Sequence, residues 1–335
     1  MPKKSSNSSN ATSRKLDALL EQLNQIQAQF SSEFPPSEPS IAELRQILQS
    51  KYAVAVARTA KLVSRHEITE LVPDLMAAFD RFMTNPAKTD PNCHAKAGIA
   101  DALYRLEQRA EAVFLAGIRH VQMEPVWGGQ VDTAPGLREI CAMGLVRMNY
   151  SEVMTELADL LADPEPPARI GAARAIAYSE NSQGIPLLRL RAKIGDEPPV
   201  LAECVIALLK LDADRSLPFA ASFLHAPQPQ TQELVALALG ESRHLGAFEP
   251  LRNWWKFNPE PDLRRTALLA IAMLRQDQPL DFLLSLVASG RNLDAHDAVA
   301  ALELYRQDMA LWERVREAAQ RRGDAELMAI VDSAH

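Results

Sequence analysis

Residues 167–199 read PARIGAARAIAYSENSQGIPLLRLRAKIGDEPP, and this stretch decides the fold. Two apolar helix-forming runs, ARIGAARAIAYS and IPLLRLRAKIG, flank the turn ENSQG. Gly195 follows the second run, and Asp196-Glu197-Pro198-Pro199 opens another copy. Glycine past a helix end and proline in the next first turn punctuate consecutive helices. The small residues Gly171, Ala172, Ala173 and Ala175 let a neighbouring helix come close.

The same opening recurs outward from this stretch, at Pro91, Pro135, Pro199, Pro229 and Pro261, with a degenerate copy at Leu293. Successive anchors from Pro91 lie 44, 32, 32, 30, 32 and 32 residues apart. A period of that size means stacked units, none of which buries its apolar face alone. A weaker first copy, YAVAVARTAKLV, follows Lys51. The layout predicts second helices near 70–83, 111–121, 152–162, 184–194, 215–225, 246–257, 278–289 and 309–321. Strand signals, β-branched alternation bounded by Asn-Gly or Asp-Gly, are absent.

Asp163-Pro-Glu-Pro-Pro-Ala-Arg169-Ile-Gly-Ala-Ala-Arg174-Ala resembles the HEAT-like repeat, an acidic turn followed by an Arg and paired small residues. The copies at Pro199 and Pro229 depart from it, with Leu201 and Thr231 in the Arg position. The resemblance spans roughly residues 50–325. It implies an all-α fold, a right-handed α-α superhelix of about seven to eight helical hairpins over 51–325. First helices would then be convex and second helices concave, with 326–335 as the C-terminal end. The chain is also similar to bacterial HEAT-repeat proteins that as a group carry no assigned chemistry.

Ahead of the repeats, residues 1–14 are Ser- and Asn-rich without an apolar anchor, which predicts a disordered tail. Leu16, Leu19, Leu20, Leu23, Ile26 and Phe30 then form one helical stripe. Residues 15–50 are expected to supply N-terminal cap helices, split by the Pro/Ser linker 31–40. Ser40 and Glu43 match a capping box opening a helix at Ile41. Helix 15–30 either docks as the solenoid's cap or occupies the concave groove or a second subunit.

Net charge is −7 and 47% of the 335 residues are hydrophobic, so a large core forms while the charge balance disfavours nucleic acid. Cys93, Cys141 and Cys204 fall singly in Ala-rich helical text, as small core residues of a reducing compartment. No apolar run reaches membrane-spanning length, and MPKKSSNSSNATSRK lacks a signal-peptide h-region. A cytoplasmic location is expected.

Function is expected where the repeat breaks. The long first interval holds QMEPVWGGQVDT, residues 122–133, and insertions in repeat proteins map to loops on one face. Trp127 is either an interface anchor or folds back over a ridge of the solenoid. Glu124, Gln130 and Asp132 either join it in binding or cap neighbouring helices. The second oddity is Trp254-Trp255: helical neighbours point about 100° apart, so one at most faces the core. The other is a candidate recognition aromatic, with Arg252 and Lys256 as cation–π partners. Arg189, Arg191 and Lys193 diverge around their helix and form no single patch.

No HxxxH or HExxH pair occurs among the seven histidines, and His66-Glu67 is the one His-Glu dipeptide. The chain thus departs from the HEAT-like metal hydroxylases, which depend on several such dipeptides. Cys93, His94, His120 and Cys141 lack the spacing that forces a tetrahedral zinc site. No dinucleotide, phosphate-loop or nucleophile-elbow motif is present. The expectation is therefore a non-catalytic interaction scaffold, with no catalytic or metal residues and no cofactor, whose concave helical face and Trp-bearing loop 122–134 take a protein or peptide. The alternatives, by fold analogy alone, are a bilin lyase or isomerase acting on phycobiliproteins and a HEAT-like DNA glycosylase.

Overall fold

The computed structural model describes residues 5–30 and 37–332, with side chains from Arg14 onward. Expectations for residues 1–4, 31–36 and 333–335 lie outside the described residues. The chain divides into two compact units, Met1–Ser179 and Glu180–His335.

The first unit runs α1 (Ser5–Phe30), α2 (Glu38–Leu48), α3 (Ala53–Arg65), α4 (Val72–Phe82), α5 (Pro86–Thr89), α6 (His94–Arg105) and α7 (Glu111–Ile118). Strands β1 (Met123–Val126) and β2 (Gly129–Asp132) follow, then α8 (Pro135–Arg147), α9 (Val153–Leu161) and α10 (Pro166–Ser179). First helices α3, α6, α8 and α10 pack side by side in chain order, and α7 and α9 lean on the first helix that follows them. Helix α1 begins at Ser5, inside the segment whose composition predicts a disordered tail. Adding turns to an existing helix costs far less than nucleating one, and the Leu stripe supplies the anchor. Leu23, Ile26 and Phe30 are buried against α2 and α3, and the Phe30 ring meets His66 edge-on at 4.8 Å. The expected capping box is not made. Helix α2 starts earlier, at Glu38, and Ser40 Oγ donates to Gln29 Oε1 on α1 at 3.1 Å. Glu43 instead accepts from Gln22 Nε2 at 3.0 Å, so both residues tie α2 to α1.

The second unit runs α11 (Gly184–Ile194), α12 (Pro198–Leu211), α13 (Ala213–Ser222), α14 (Pro229–Glu241), α15 (Phe248–Phe257) and α16 (Pro261–Met273). It ends with α17 (Asp277–Ser289), α18 (Asn292–Leu302), α19 (Met309–Arg322) and α20 (Ala325–Asp332). Here α12, α14, α16 and α18 stack in order, and α11, α15 and α17 lie against the first helix that follows each. All eight predicted second helices are present, and the anchor prolines 135, 229 and 261 each open a first helix. The chain is an all-α repeat fold, as its period requires. Helix contact is close because small residues face each other: a Cβ on Gly240 of α14 would lie 2.5 Å from the Ala270 carbonyl oxygen of α16.

Glycine punctuation holds at Gly195 and Gly323, yet most first helices end differently. Glu67, Glu107, Asn149, Arg243 and Arg275 take the left-handed conformation just past α3, α6, α8, α14 and α16. After α3, α6 and α8 the next amide reaches back, from Ile68 to Val63, Gln108 to Leu103 and Tyr150 to Leu145, each at 3.0 Å. This Schellman-type bond satisfies an orphan carbonyl. It offsets the roughly 1–2 kcal/mol that a side chain costs in that conformation.

Candidate functional site

Residues 122–133, expected as a loop, form an antiparallel hairpin. Met123 pairs with Asp132, Glu124 with Val131, Pro125 with Gln130 and Val126 with Gly129. Trp127 and Gly128 make the tip, where Gly128 supplies φ +92. A reversal that tight needs a positive φ, which glycine adopts without penalty. No β-branched run announces these strands, because only Val126 and Val131 among their residues favour extended structure.

Trp127 does not fold back. Its relative exposure is 103%, and Met123, Val126 and Val131 beside it are also exposed. Gln130 is exposed on β2. Glu124 and Asp132 are instead engaged in hydrogen bonds at the hairpin's base.

That base is a polar network locking the hairpin to the turn 90–93 ahead of α6 and to α8. Asp132 Oδ1 accepts the Gln122 and Ala134 amides at 3.0 and 2.9 Å, just ahead of α8. Its Oδ2 accepts from Arg138 Nη1 at 2.7 Å. Arg138 is 1% exposed; it also donates to the His120 carbonyl at 2.8 Å and to Asp163 Oδ1 at 3.0 Å. Glu124 Oε1 gathers three donors, the Asn92 amide at 2.7 Å, Gln122 Nε2 at 2.6 Å and Thr133 Oγ1 at 2.7 Å. Gln122 Nε2 also donates to the Asp90 carbonyl at 2.9 Å. Its Oε1 therefore accepts, from Cys93 Sγ at 3.2 Å and His120 Nε2 at 3.1 Å, which places the neutral imidazole's proton on Nε2.

Below lies a buried ion pair. Lys96 Nζ meets Asp90 Oδ2 at 2.9 Å with both side chains fully buried. Asp90 also accepts the Ala95 and Lys96 amides at 2.7 and 3.0 Å, capping α6. Between these fastenings Asn92 and Cys93 adopt φ of 58° and 54°. Consecutive left-handed residues other than glycine persist only where their surroundings over-determine them.

Burial pushes the Asp132 carboxyl up, but the two amides and Arg138 more than reverse this and hold it below the ordinary range. Burial acts likewise on Glu124 and is outweighed by Gln122, Thr133 and the Asn92 amide, leaving it low. Burial, then the Lys96 charge, holds the His120 imidazole low against the opposing Gln122 bond. Burial pushes the Cys93 thiol up to about 11, so it is an inert thiol at neutral pH. All three shifts on Asp132, Glu124 and His120 are downward, so in each case the unfolded chain binds the proton more tightly. Their stabilisation is complete above the unfolded pKa and is lost as pH falls through the native one. Acidification should therefore weaken the fold in two steps, starting below about pH 6.5 for His120 and below about pH 4 for the carboxylates. Urea midpoints measured against pH will show this, and His120→Gln should shrink the upper step, which His66 shares because burial and Arg65 hold it low too, and leave the lower step in place.

No group of three or more His, Cys, Asp or Glu side chains able to hold a metal ion occurs among the described residues. Cys93 and His120 do meet one acceptor, but His94 is exposed and Cys141 lies buried against Gly117. Nor is any described helix long and apolar enough to cross a membrane.

In the second unit Trp254 is 4% exposed and belongs to the core. One side of it lines a cavity of about 750 Å³ beside Phe257, Pro229 and Leu263. Trp255 is half-buried, edge-on to Phe282 at 5.4 Å. Its cation–π partner is Arg264 of α16 at 4.6 Å, whereas Lys256 lies over Phe257 and Arg252 over Phe248. A partner one repeat away replaces the sequence neighbours because these point around the helix, away from the Trp255 ring. The basic residues of α11 do diverge: Arg191 pairs with Asp196 at 2.8 Å and Arg189 covers Phe219 at 4.3 Å.

Asp90, Lys96, Gln122 and Arg138 are not singled out from the sequence, and Asp163 is read there only as the acidic turn of the repeat. One signal was available: Arg138 and Arg264 both stand three residues after an anchor proline. Each pairs with an acid at the start of the next repeat, Asp163 and Asp294, the latter at 2.6 Å. The quoted motif's own Arg169 donates to the Asp163 and Pro164 carbonyls.

Residues 216–303 match the family model described as HEAT repeats. No curated protein matches the chain. Among solved structures, a chain of the CpcE–CpcF complex of phycocyanin lyase from Nostoc sp. PCC7120 aligns at 18% identity and TM-score 0.36, covering 68% of this chain and 89% of that one. Human deoxyhypusine hydroxylase aligns at 15% identity and TM-score 0.27, covering 90% and 99%. Neither likeness carries an activity to this chain. The helical-hairpin period runs through both units, and its stretch 216–303 is the part that matches HEAT repeats.

Proposed function

We propose that this chain is a non-catalytic interaction scaffold that engages a protein partner through the Trp127 hairpin. The observation that carries this reading is the pairing of a fully exposed tryptophan with a hairpin base held by buried, charge-assisted hydrogen bonds. A two-stranded hairpin is marginal alone in water. Here its orientation is set by bonds to the turn 90–93 ahead of α6 and to α8, so an aromatic anchor is presented with little ordering cost on binding. Tryptophan is the residue type most enriched at interface hot spots, and the flanking Met123, Val126 and Val131 extend the apolar surface.

Trp127→Ala tests the proposal. Trp127 has no intramolecular packing to lose, so stability should change by no more than about 0.5 kcal/mol. Loss of a hot-spot anchor costs about 2 kcal/mol, roughly a 30-fold weaker Kd. The check is quantitative affinity capture with the wild-type and variant full-length chains. Recovery of the same partner at the same yield by Trp127→Ala would refute the proposal.

A further inference from the structure

A second surface in the first unit has a different chemistry. The last turns of α3, α6 and α8 each carry one arginine, Arg65, Arg105 and Arg147. All three, with Lys61, line one open groove of about 740 Å³. Its lining includes Ala57 and Gly98, where α3 and α6 touch closely enough that a Gly98 Cβ would sit 3.1 Å from the Ala57 Cα. Tyr104 lies in the same groove with its ring under the Arg147 guanidinium at 4.3 Å.

Four cations face this groove against one lining carboxylate, Asp101, which pairs with Arg105 at 2.7 Å. Arg147 has a looser partner in Glu107 at 3.6 Å. Lys61 and Arg65 are exposed and meet no carboxylate among the described residues. Some of this charge serves the helices themselves, since a basic last turn complements the helix dipole. The dipole accounts for one arginine per helix but not for Lys61, nor for leaving Arg65 unpaired on a chain of net charge −7.

We propose that this groove binds an extended acidic peptide. Adjacent helix axes stand about 8–10 Å apart, so the arginines recur at about that interval. An extended chain advances about 3.3 Å per residue, so carboxylates at every third position match the row. The excess of acid elsewhere on the chain disfavours a long nucleic acid, whose phosphates continue past the groove. The groove is separate from the hairpin. Lys96, in the hairpin's base, and Arg105 lie near opposite ends of α6, about 14 Å apart along its axis.

The test uses the full-length chain and a fluorescent probe of four Glu-Ser-Gly triplets, read by anisotropy at low salt. Binding should weaken steeply as salt rises, disappear for the Gln-Ser-Gly version and fall at least 10-fold in Lys61→Glu/Arg65→Glu. Arg105→Gln, at a separate position, should weaken it about 3-fold or more, and Trp127→Ala should leave it unchanged. Circular dichroism checks that each variant is folded. No binding, equal binding by the Lys61/Arg65 double variant, loss in Trp127→Ala, or tighter binding of a twelve-nucleotide oligothymidine would each overturn the proposal.

Discussion

Arg138→Ala is expected to destabilise the first unit by about 3–5 kcal/mol, the usual cost of removing one partner from a buried ion pair. The reason lies in what remains. Asp132 and Asp163 would stay at 8% exposure and half-buried, respectively, with the guanidinium gone. The His120 carbonyl would lose a donor as well. Asp132 would retain its two amide bonds, which keep it charged and make the missing cation costly. Replacing all three groups, in Arg138→Met/Asp132→Asn/Asp163→Asn, should recover a large part of the loss because no buried charge is then orphaned. Urea denaturation of the single and triple variants measures both. The single variant should also release the hairpin's base, seen as faster amide exchange at Gln122 and Thr133. A loss under about 1 kcal/mol for Arg138→Ala would mean the network is dispensable, and with it the rigid presentation of Trp127.

The second large effect belongs to helix packing in the other unit. Gly240→Ala places a methyl group 2.5 Å from the Ala270 carbonyl oxygen and 2.9 Å from its Cα. Backbone cannot rotate aside as a side chain does, so α14 and α16 must separate. Overpacking costs about 1–3 kcal/mol, and a clash with backbone belongs at the upper end of that range. Gly136→Ala is the control, because nothing lies within 4 Å of its Cβ position in the first turn of α8. That change should be neutral or stabilising by up to about 1 kcal/mol, since alanine favours the helix. Thermal unfolding of the two variants under one condition compares them. Equal Tm values would show that α14 and α16 can part without cost.

Particular residues show how far the sequence could be read. Pro229 and Pro261 announce helix starts because a missing amide is harmless only in the first turn. The interval of 44 residues correctly marks an insertion, and Trp127 stands at its tip. The form of that insertion was not legible. Its strands are short and carry Pro125 and Gly129, and what holds them is a set of partners up to 32 positions away, Asn92 for Glu124 and, by way of Arg138, Asp163 for Asp132. Lys96 and Arg138 read in one dimension as ordinary charges on amphipathic helices. Only packing shows that both are buried. The same holds for Trp254 and Trp255: the 100° rule says that one must turn outward, but not which one, nor that Arg264 covers it.

The sequence by itself determined the all-α repeat fold, its period and the place where the period fails. These follow from local rules, helix propensity, proline and glycine punctuation, and the need of each hairpin for neighbours. Tertiary structure alone decided that the insertion is a hairpin, that its base is a buried ion-pair network and that Trp127 points outward. It also brought Arg65, Arg105 and Arg147 into one groove. Each of these depends on contacts between repeats, where burial strengthens every charge interaction and where no residue carries a record of its distant partner.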